Sequence, residues 1–271
     1  MVDFDRIQRY AYAHARLRAR LGSMPSPERW GYIAGGGDMA AVLRRMRENG
    51  LGRWVRDLSR NPDMDAIEHA LSGGLIALKR DLGNWLPRQW SGIVRWLHDG
   101  VDLVFLRRLL QSHVVRLHSQ LDPVIFDLAQ APLERREQLL ATTRYARYLA
   151  NGSKESMMDR WFACFGSLRP RAHGRESYVI YRLQKLVSNH TLLISQQRAH
   201  WNQEQDTSTL NPDAQWRLRS DLEQGIRDLL CGESFHAGAV LAYGILELLQ
   251  FERARALLVA RYFSWEHARF G

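Results

Sequence analysis

The sequence predicts an all-α protein, and three observations predict it. Apolar residues recur at intervals of three and four almost throughout the 271-residue chain. Helix-start signals such as Ser26-Pro27-Glu28 and Asn61-Pro62-Asp63 fall between these stretches. No run of alternating apolar and polar residues flanked by hairpin turns occurs, so no sheet is expected.

Taken in order, Phe4, Ile7, Ala11 and Ala15 mark a first helix with Asp3 or Asp5 as its cap. Ser26 is an N-cap with Pro27 at the first helical position, opening a helix over 26–34. Asp38 caps a helix through Val42, Leu43 and Met46 that ends at Gly50. Asp63 starts the next, with Ile67, Leu71, Leu75 and Leu78 on one stripe. From Trp85 to Gln111 the pattern is helical with a break at Gly100, and Asp122-Pro123 ends it. Pro132 opens a helix through Leu139, Leu140 and Tyr148, closed by Asn151-Gly152. Helices then cover 153–165, 176–200, 213–231 and 235–263, with exposed linkers at 202–212 and 166–175. Long helices near 101–117, 178–199 and 240–262 each close a block of shorter ones. This loose echo divides the chain into three helical units, 1–120, 121–203 and 204–271, within one continuous body.

Composition bounds the function. Hydrophobic residues make up 45% of the chain, within the globular range. Nine Trp, nine Tyr and nine Phe supply large core pieces. The net charge of +9 predicts attraction to an acidic partner, to anionic headgroups or to nucleic acid. Of the 38 basic residues only Lys79, Lys154 and Lys185 are lysines. Cys164 and Cys231 lie in apolar helical surroundings and suit a reducing compartment. No stretch reaches the ~18 apolar residues of a membrane span. Met1 to Tyr10 carries acids where a signal peptide needs an apolar run. The expectation is a cytoplasmic protein, free or against a membrane surface.

Motifs for chemistry fail one by one. Gly35-Gly36-Gly37-Asp38 lacks the preceding strand and following Lys of a phosphate cradle, and reads as a turn into an Asp-capped helix. His113 and His118 are five apart and face different ways; His190 and His200 have no ligand cluster. No Gly-x-Ser-x-Gly elbow occurs, and neither cysteine has a nearby histidine in an electropositive turn. The paired carboxylates Asp99 with Asp102 and Asp221 with Glu223 read as ordinary helix surface. The sequence therefore predicts no catalytic residues, no cofactor and no metal site. Basic residues cluster at the N-terminal end, where the first 60 residues carry 12 Arg against six acids. Tyr10, Tyr12, Trp30, Tyr32 and Trp54 are interleaved with them. Two readings stand: a phosphate track with stacking platforms, or a solvated arginine face over core aromatics.

The run Tyr10-Ala11-Tyr12-Ala13-His14-Ala15-Arg16-Leu17-Arg18-Ala19-Arg20 resembles the opening helix of the V-type and archaeal-type ATPase subunit called C in prokaryotes and d in eukaryotes. Three further stretches are similar to that family. They are Asp63 to Glu68, Asp102-Leu103-Val104-Phe105-Leu106-Arg107-Arg108-Leu109-Leu110, and the closing segment from Val240 through Arg253, Arg255, Leu257, Tyr262 and Phe263. The chain departs from the family in being shorter, in Phe105 replacing an Asn, and in Leu248, Leu249 and Phe251 replacing acids. The resemblance implies a funnel of three pseudo-repeated helical units. It implies a non-catalytic central-stalk subunit that seats the rotor shaft on the membrane ring during proton or sodium transport. Implied partners are the shaft subunits and the ring, with contact to anionic headgroups at the cytoplasmic face, and no nucleic acid or small-molecule substrate. The Arg16, Arg18, Arg20 edge is the candidate docking surface. Pairing of these side chains within the subunit is the alternative. The runner-up function is a basic helical nucleic-acid-binding or scaffold protein.

Overall fold

A computed structural model describes residues 4–86, 90–111, 122–149, 157–165, 178–190, 212–232 and 237–270. The chain is all-α, and no strand occurs among the described residues. The helices are α1 (Phe4–Ser23), α2 (Pro27–Ala34), α3 (Met39–Glu48), α4 (Gly52–Val55), α5 (Met64–Trp85) and α6 (Ser91–Gln111). They are followed by α7 (Pro123–Gln130), α8 (Leu133–Ala141), a 3-10 turn (Arg144–Tyr148) and α9 (Met157–Phe165). A helix over 178–190 is α10, and α11 (Pro212–Gly232) and α12 (Ala237–Phe270) complete the chain.

Asp38, Asp63 and Ser26 cap their helices as their sequence positions predict, while Asp5 lies inside α1 and Asp3 outside the described residues. Asp38 accepts from the Ala41 N–H at 2.7 Å, and Asp63 from the Ala66 N–H at 2.6 Å. Ser26 accepts from the Arg29 N–H at 3.4 Å, with Pro27 in the first turn. Gly50 follows α3 with φ of +78°, and a Cβ there would lie 1.9 Å from the Ser23 carbonyl oxygen. Only glycine fits that position.

Tertiary contacts override the local pattern in several places. α5 ends at Trp85, and Leu86 is extended, so the helix does not run on into α6. α6 passes through Gly100 without a break. Gly100 is small because the Trp161 ring lies against it, where a Cβ would meet the ring at 2.4 Å. Asp122-Pro123 starts a helix: Asp122 accepts from the Val124 N–H at 3.0 Å and Pro123 fills the first turn. The helix from Pro132 stops at Ala141, where Thr143 takes the Tyr145 N–H at 3.2 Å and turns the chain into the 3-10 segment. α12 continues seven residues past 263, to Phe270. Cys231 is exposed rather than set in apolar surroundings, while Cys164 is half-buried. Asn151-Gly152, the linker 166–175 and the linker over 202–211 lie outside the described residues.

α12 is the centre of the body. Every residue from Gly238 to Phe251 is buried, which accounts for a helix that is apolar nearly all round. It packs on α1, α3, α5, α6 and α11, so the end of the chain is built into the beginning. Polar ties cross the same joints. The Trp30 indole N–H donates to Gln250 at 2.8 Å, and Arg255 meets Glu68 at 2.7 Å. Arg261 donates to the Ala34 carbonyl, and Arg227 to the Pro25 carbonyl at 2.9 Å. No helix among the described residues is long and apolar enough to cross a membrane.

Candidate functional site

Two polar constellations stand out against this apolar frame, one open and one closed. The open one is a groove of about 920 Å³ formed by α1, α4 and α5. Its floor is the small-residue side of α5, where Ala66, Ala70, Gly73, Gly74 and Ala77 fall at helical spacing. Arg16 and Arg20 reach it from α1, Arg53 and Arg56 from α4 and the residue after it, and Arg80 from the far end of α5. Asp57 and Asp81 are the carboxylates on its walls.

These arginines divide into held and free. Arg20 pairs with Asp81 at 2.7 Å and stacks over Trp85 at 4.9 Å. Arg53 pairs at 2.9 Å with Glu247, a buried carboxylate of α12 that also accepts from the Tyr243 hydroxyl. Burial pushes the Glu247 carboxyl above the usual range, and Arg53 opposes that shift. Burial and the neighbouring Glu247 likewise push the Tyr243 phenol well up. Arg16, Arg56 and Arg80 are exposed and form no ion pair among the described residues. Arg16 lies over the Tyr12 ring at 5.2 Å.

The closed constellation lies under α6. Asp99 and Asp102, one turn apart, are both 0% exposed. The segment Arg144-Tyr145-Ala146-Arg147-Tyr148 presents two copies of the same pair to them. The Tyr145 hydroxyl donates to Asp102 and the Tyr148 hydroxyl to Asp99, each at 2.9 Å. Each arginine lies 4.7 Å from the ring of the tyrosine that follows it. Arg147 reaches Asp99 at 2.5 Å; Arg144 bridges Asp99 at 3.3 Å, Asp102 at 3.4 Å and Asp122 at 2.8 Å. Lys79 from α5 closes on Asp102 at 2.9 and 3.0 Å. The His98 Nε2–H donates to the Lys79 carbonyl at 3.0 Å.

Burial, and then the Lys79 charge, hold the His98 imidazole down at about 4. Burial raises the Asp102 carboxyl while Lys79 and Tyr145 pull it back. Tyr145 and Tyr148 are raised by burial and by the aspartates they face. Both carboxylates are thus filled by cations and phenols of the chain itself. That arrangement clamps α5, α6 and the 3-10 segment together, and of the four carboxylate oxygens only Asp99 Oδ1 lacks a hydrogen-bond partner, lying 3.3 Å from the Arg144 guanidinium. The expectation that Asp99 and Asp102 sit on ordinary helix surface is corrected. Glu223 is also buried, pairing with Arg227 at 2.9 Å, whereas Asp221 is exposed.

Of the candidate docking residues, Arg16 and Arg20 share the groove. Arg18 does not line it; its Nε–H donates to the His14 ring at 3.3 Å. Trp30 and Trp54 are core, while Tyr12 and Tyr32 are exposed, the latter under Arg45 at 4.3 Å. Gly35 caps α2 and Asp38 caps α3, the plain turn expected of the glycine run. His190 is buried, and His113, His118 and His200 lie outside the described residues. Among the described residues no group of three His, Cys, Asp or Glu could hold a metal ion. Sequence reasoning missed the Asp99–Tyr148 and Asp102–Tyr145 clamp. Its signal was the matched three-residue spacing of Asp99/Asp102 and Arg144-Tyr145/Arg147-Tyr148. Compared with protein families, curated proteins and solved structures, the chain matches none.

Proposed function

We propose that the chain is a non-catalytic central-stalk subunit of a V-type or archaeal-type rotary ATPase, a helical socket between the rotor shaft and the membrane ion-carrying ring. The observation that carries this reading is α12, a 34-residue helix whose buried half packs on α1, α3, α5 and α6. A part that passes torque needs stiffness between distant surfaces. Close-packed interiors resist deformation, and the ties from Gln250, Glu247, Arg255 and Arg261 fix one end of the chain to the other. The order of the family-like stretches in the sequence supports the same reading, as does the arginine groove beside α1. In this reading the three-unit funnel is the architecture, and the subunit sits on the cytoplasmic face of the membrane.

Purification of a tagged chain from its native membranes is the test. Shaft subunits and the ring should be recovered with it in fixed proportion. Recovery without either would overturn the proposal. The runner-up, a basic nucleic-acid-binding or scaffold protein, draws on the +9 charge and on five arginines lining one groove. It requires DNA or RNA binding that weakens steeply with salt.

A further inference from the structure

We infer that the groove between α1, α4 and α5 is a docking site for an acidic peptide segment of a partner protein. The inference rests on the groove alone and stands whether or not the partner belongs to a rotary ATPase. Its first support is charge. Five arginines line the groove against Asp57 and Asp81, and Arg16, Arg56 and Arg80 form no ion pair of their own among the described residues. Guanidinium groups are suited to carboxylates because two N–H donors match the two oxygens. Arg20 and Arg53 are already fixed by Asp81 and Glu247, so they stiffen the walls and the free three supply the attraction.

Shape is the second support. The floor runs from Ala66 to Ala77, about 16 Å at the helical rise of about 1.5 Å per residue. Apart from the exposed His69, the α5 side chains lining it between Ala66 and Ala77 are no larger than a methyl group, so another backbone can approach the helix closely beside that imidazole. The arginines are spread along the walls, with Arg16 and Arg20 a turn apart, rather than gathered round one point. That distribution fits carboxylates spaced along a chain better than a single compact anion.

A nucleic acid fits less well. Single strands are held by aromatic stacking platforms as well as by charge. Among the described residues no Phe, Tyr or Trp lines the groove, and the exposed Tyr12 beside it is covered by Arg16 at 5.2 Å. Trp54 and Trp85 beneath it are buried and engaged, Trp54 with Phe251 at 5.5 Å and Trp85 with Tyr243 at 5.9 Å. Asp57 would repel a continuous phosphate backbone, whereas a peptide of mixed charge can place a basic residue against it; Asp81 is already paired with Arg20.

The test uses the full chain and a fluorescein-labelled 16-residue helical peptide with glutamate at every fourth position. Anisotropy is read at low and at physiological salt. Three proteins are compared: the parent, R16E/R56E/R80E, and R44E/R45E/R60E, which makes the same charge change away from the groove. The groove variant should lose at least tenfold in affinity and the control less than threefold, with melting temperatures confirming that both fold. Equal losses in the two variants would overturn the inference, since bulk charge would then account for binding. So would absence of peptide binding to the parent at low salt. Tighter binding of a 16-nucleotide single-stranded DNA, lost in the groove variant, would replace the peptide with a nucleic acid and overturn it as well.

Discussion

Lys79 and Asp102 offer a quantitative test of the clamp beneath α6. The Lys79 ammonium lies 2.9 and 3.0 Å from the two carboxylate oxygens, and the Asp102 side chain is 0% exposed. At that separation the attraction is about 6 kcal/mol for an effective dielectric of about 20. Desolvation offsets much of it, so the pair as a whole contributes little. Removal of one partner is different, because the other is left buried with its charge, at about 3–5 kcal/mol. Lys79→Met should therefore cost about 3 kcal/mol, the low end, because Tyr145 and Arg144 still face the carboxylate. Asp102→Asn should cost about 2 kcal/mol, since the amide keeps the shape and can still accept from Tyr145. In Lys79→Met/Asp102→Asn no charge is stranded, and the loss should stay near that of the worse single variant. The coupling energy is then about 2 kcal/mol, well above the 0–1 kcal/mol of an exposed pair. Urea unfolding followed by circular dichroism at pH 7 gives each value.

The sign of the pH dependence follows from the same geometry. Without Lys79, the buried Asp102 carboxyl has a folded pKa raised further above its unfolded value. Its penalty is absent below the unfolded pKa of about 4 and grows as pH rises through the folded pKa. The deficit of Lys79→Met relative to the parent should thus shrink on acidification from pH 7 to 5. Additive single and double variants, within about 0.5 kcal/mol, would refute the claim that this pair acts as a buried unit.

Other expectations follow from single contacts. His98 is held at about 4 in the fold against about 6.5 unfolded, so stability that is complete above pH 6.5 is lost as pH falls towards 4. Unfolding curves of His98→Gln should lose that acid dependence, which amounts to about 3 kcal/mol at most. Gly100→Ala should cost about 1–3 kcal/mol by pushing a Cβ into the Trp161 ring. Tryptophan near-ultraviolet dichroism should change with it, since Trp96 and Trp161 are stacked at 4.1 Å. Asp38→Ala and Asp63→Ala should each lower stability by about 1 kcal/mol, read from urea midpoints, through loss of one N-cap.

Legibility in the sequence tracks the range of the interaction. Asp38, Asp63 and Ser26 each bond to a backbone N–H three residues away, so local pattern is sufficient to find them. The apolar stripe of Ile67, Leu71, Leu75 and Leu78 is likewise local in its spacing, and all four are buried to 0%. Gly100 was read wrongly because its reason lies 61 positions away, in Trp161. The same indole donates to the Trp96 carbonyl at 2.7 Å, while Trp96 donates to the Trp161 carbonyl at 2.9 Å. A glycine that breaks a helix and one that admits a ring look identical in one dimension.

The two constellations differ in the same way. The sequence marks Arg16, Arg18 and Arg20 as a basic edge, of which only Arg16 and Arg20, i and i+4 on one face of α1, line the groove. What could not be read was which of the free and held arginines are which, because the partners Asp81 and Glu247 come from α5 and α12. The aspartates of α6 invert the usual inference. Charged residues among apolar neighbours usually mark a solvated face, yet Asp99 and Asp102 are the most deeply buried acids described. Their burial is tolerable only because the tyrosine and arginine pairs of residues 144–148 repeat with the three-residue step that α6 imposes on the aspartates. A repeat of polar type and spacing in two distant segments is therefore a sequence signal for a buried ionic joint. Here it separates the charges that hold the body together from the arginines left free on its surface.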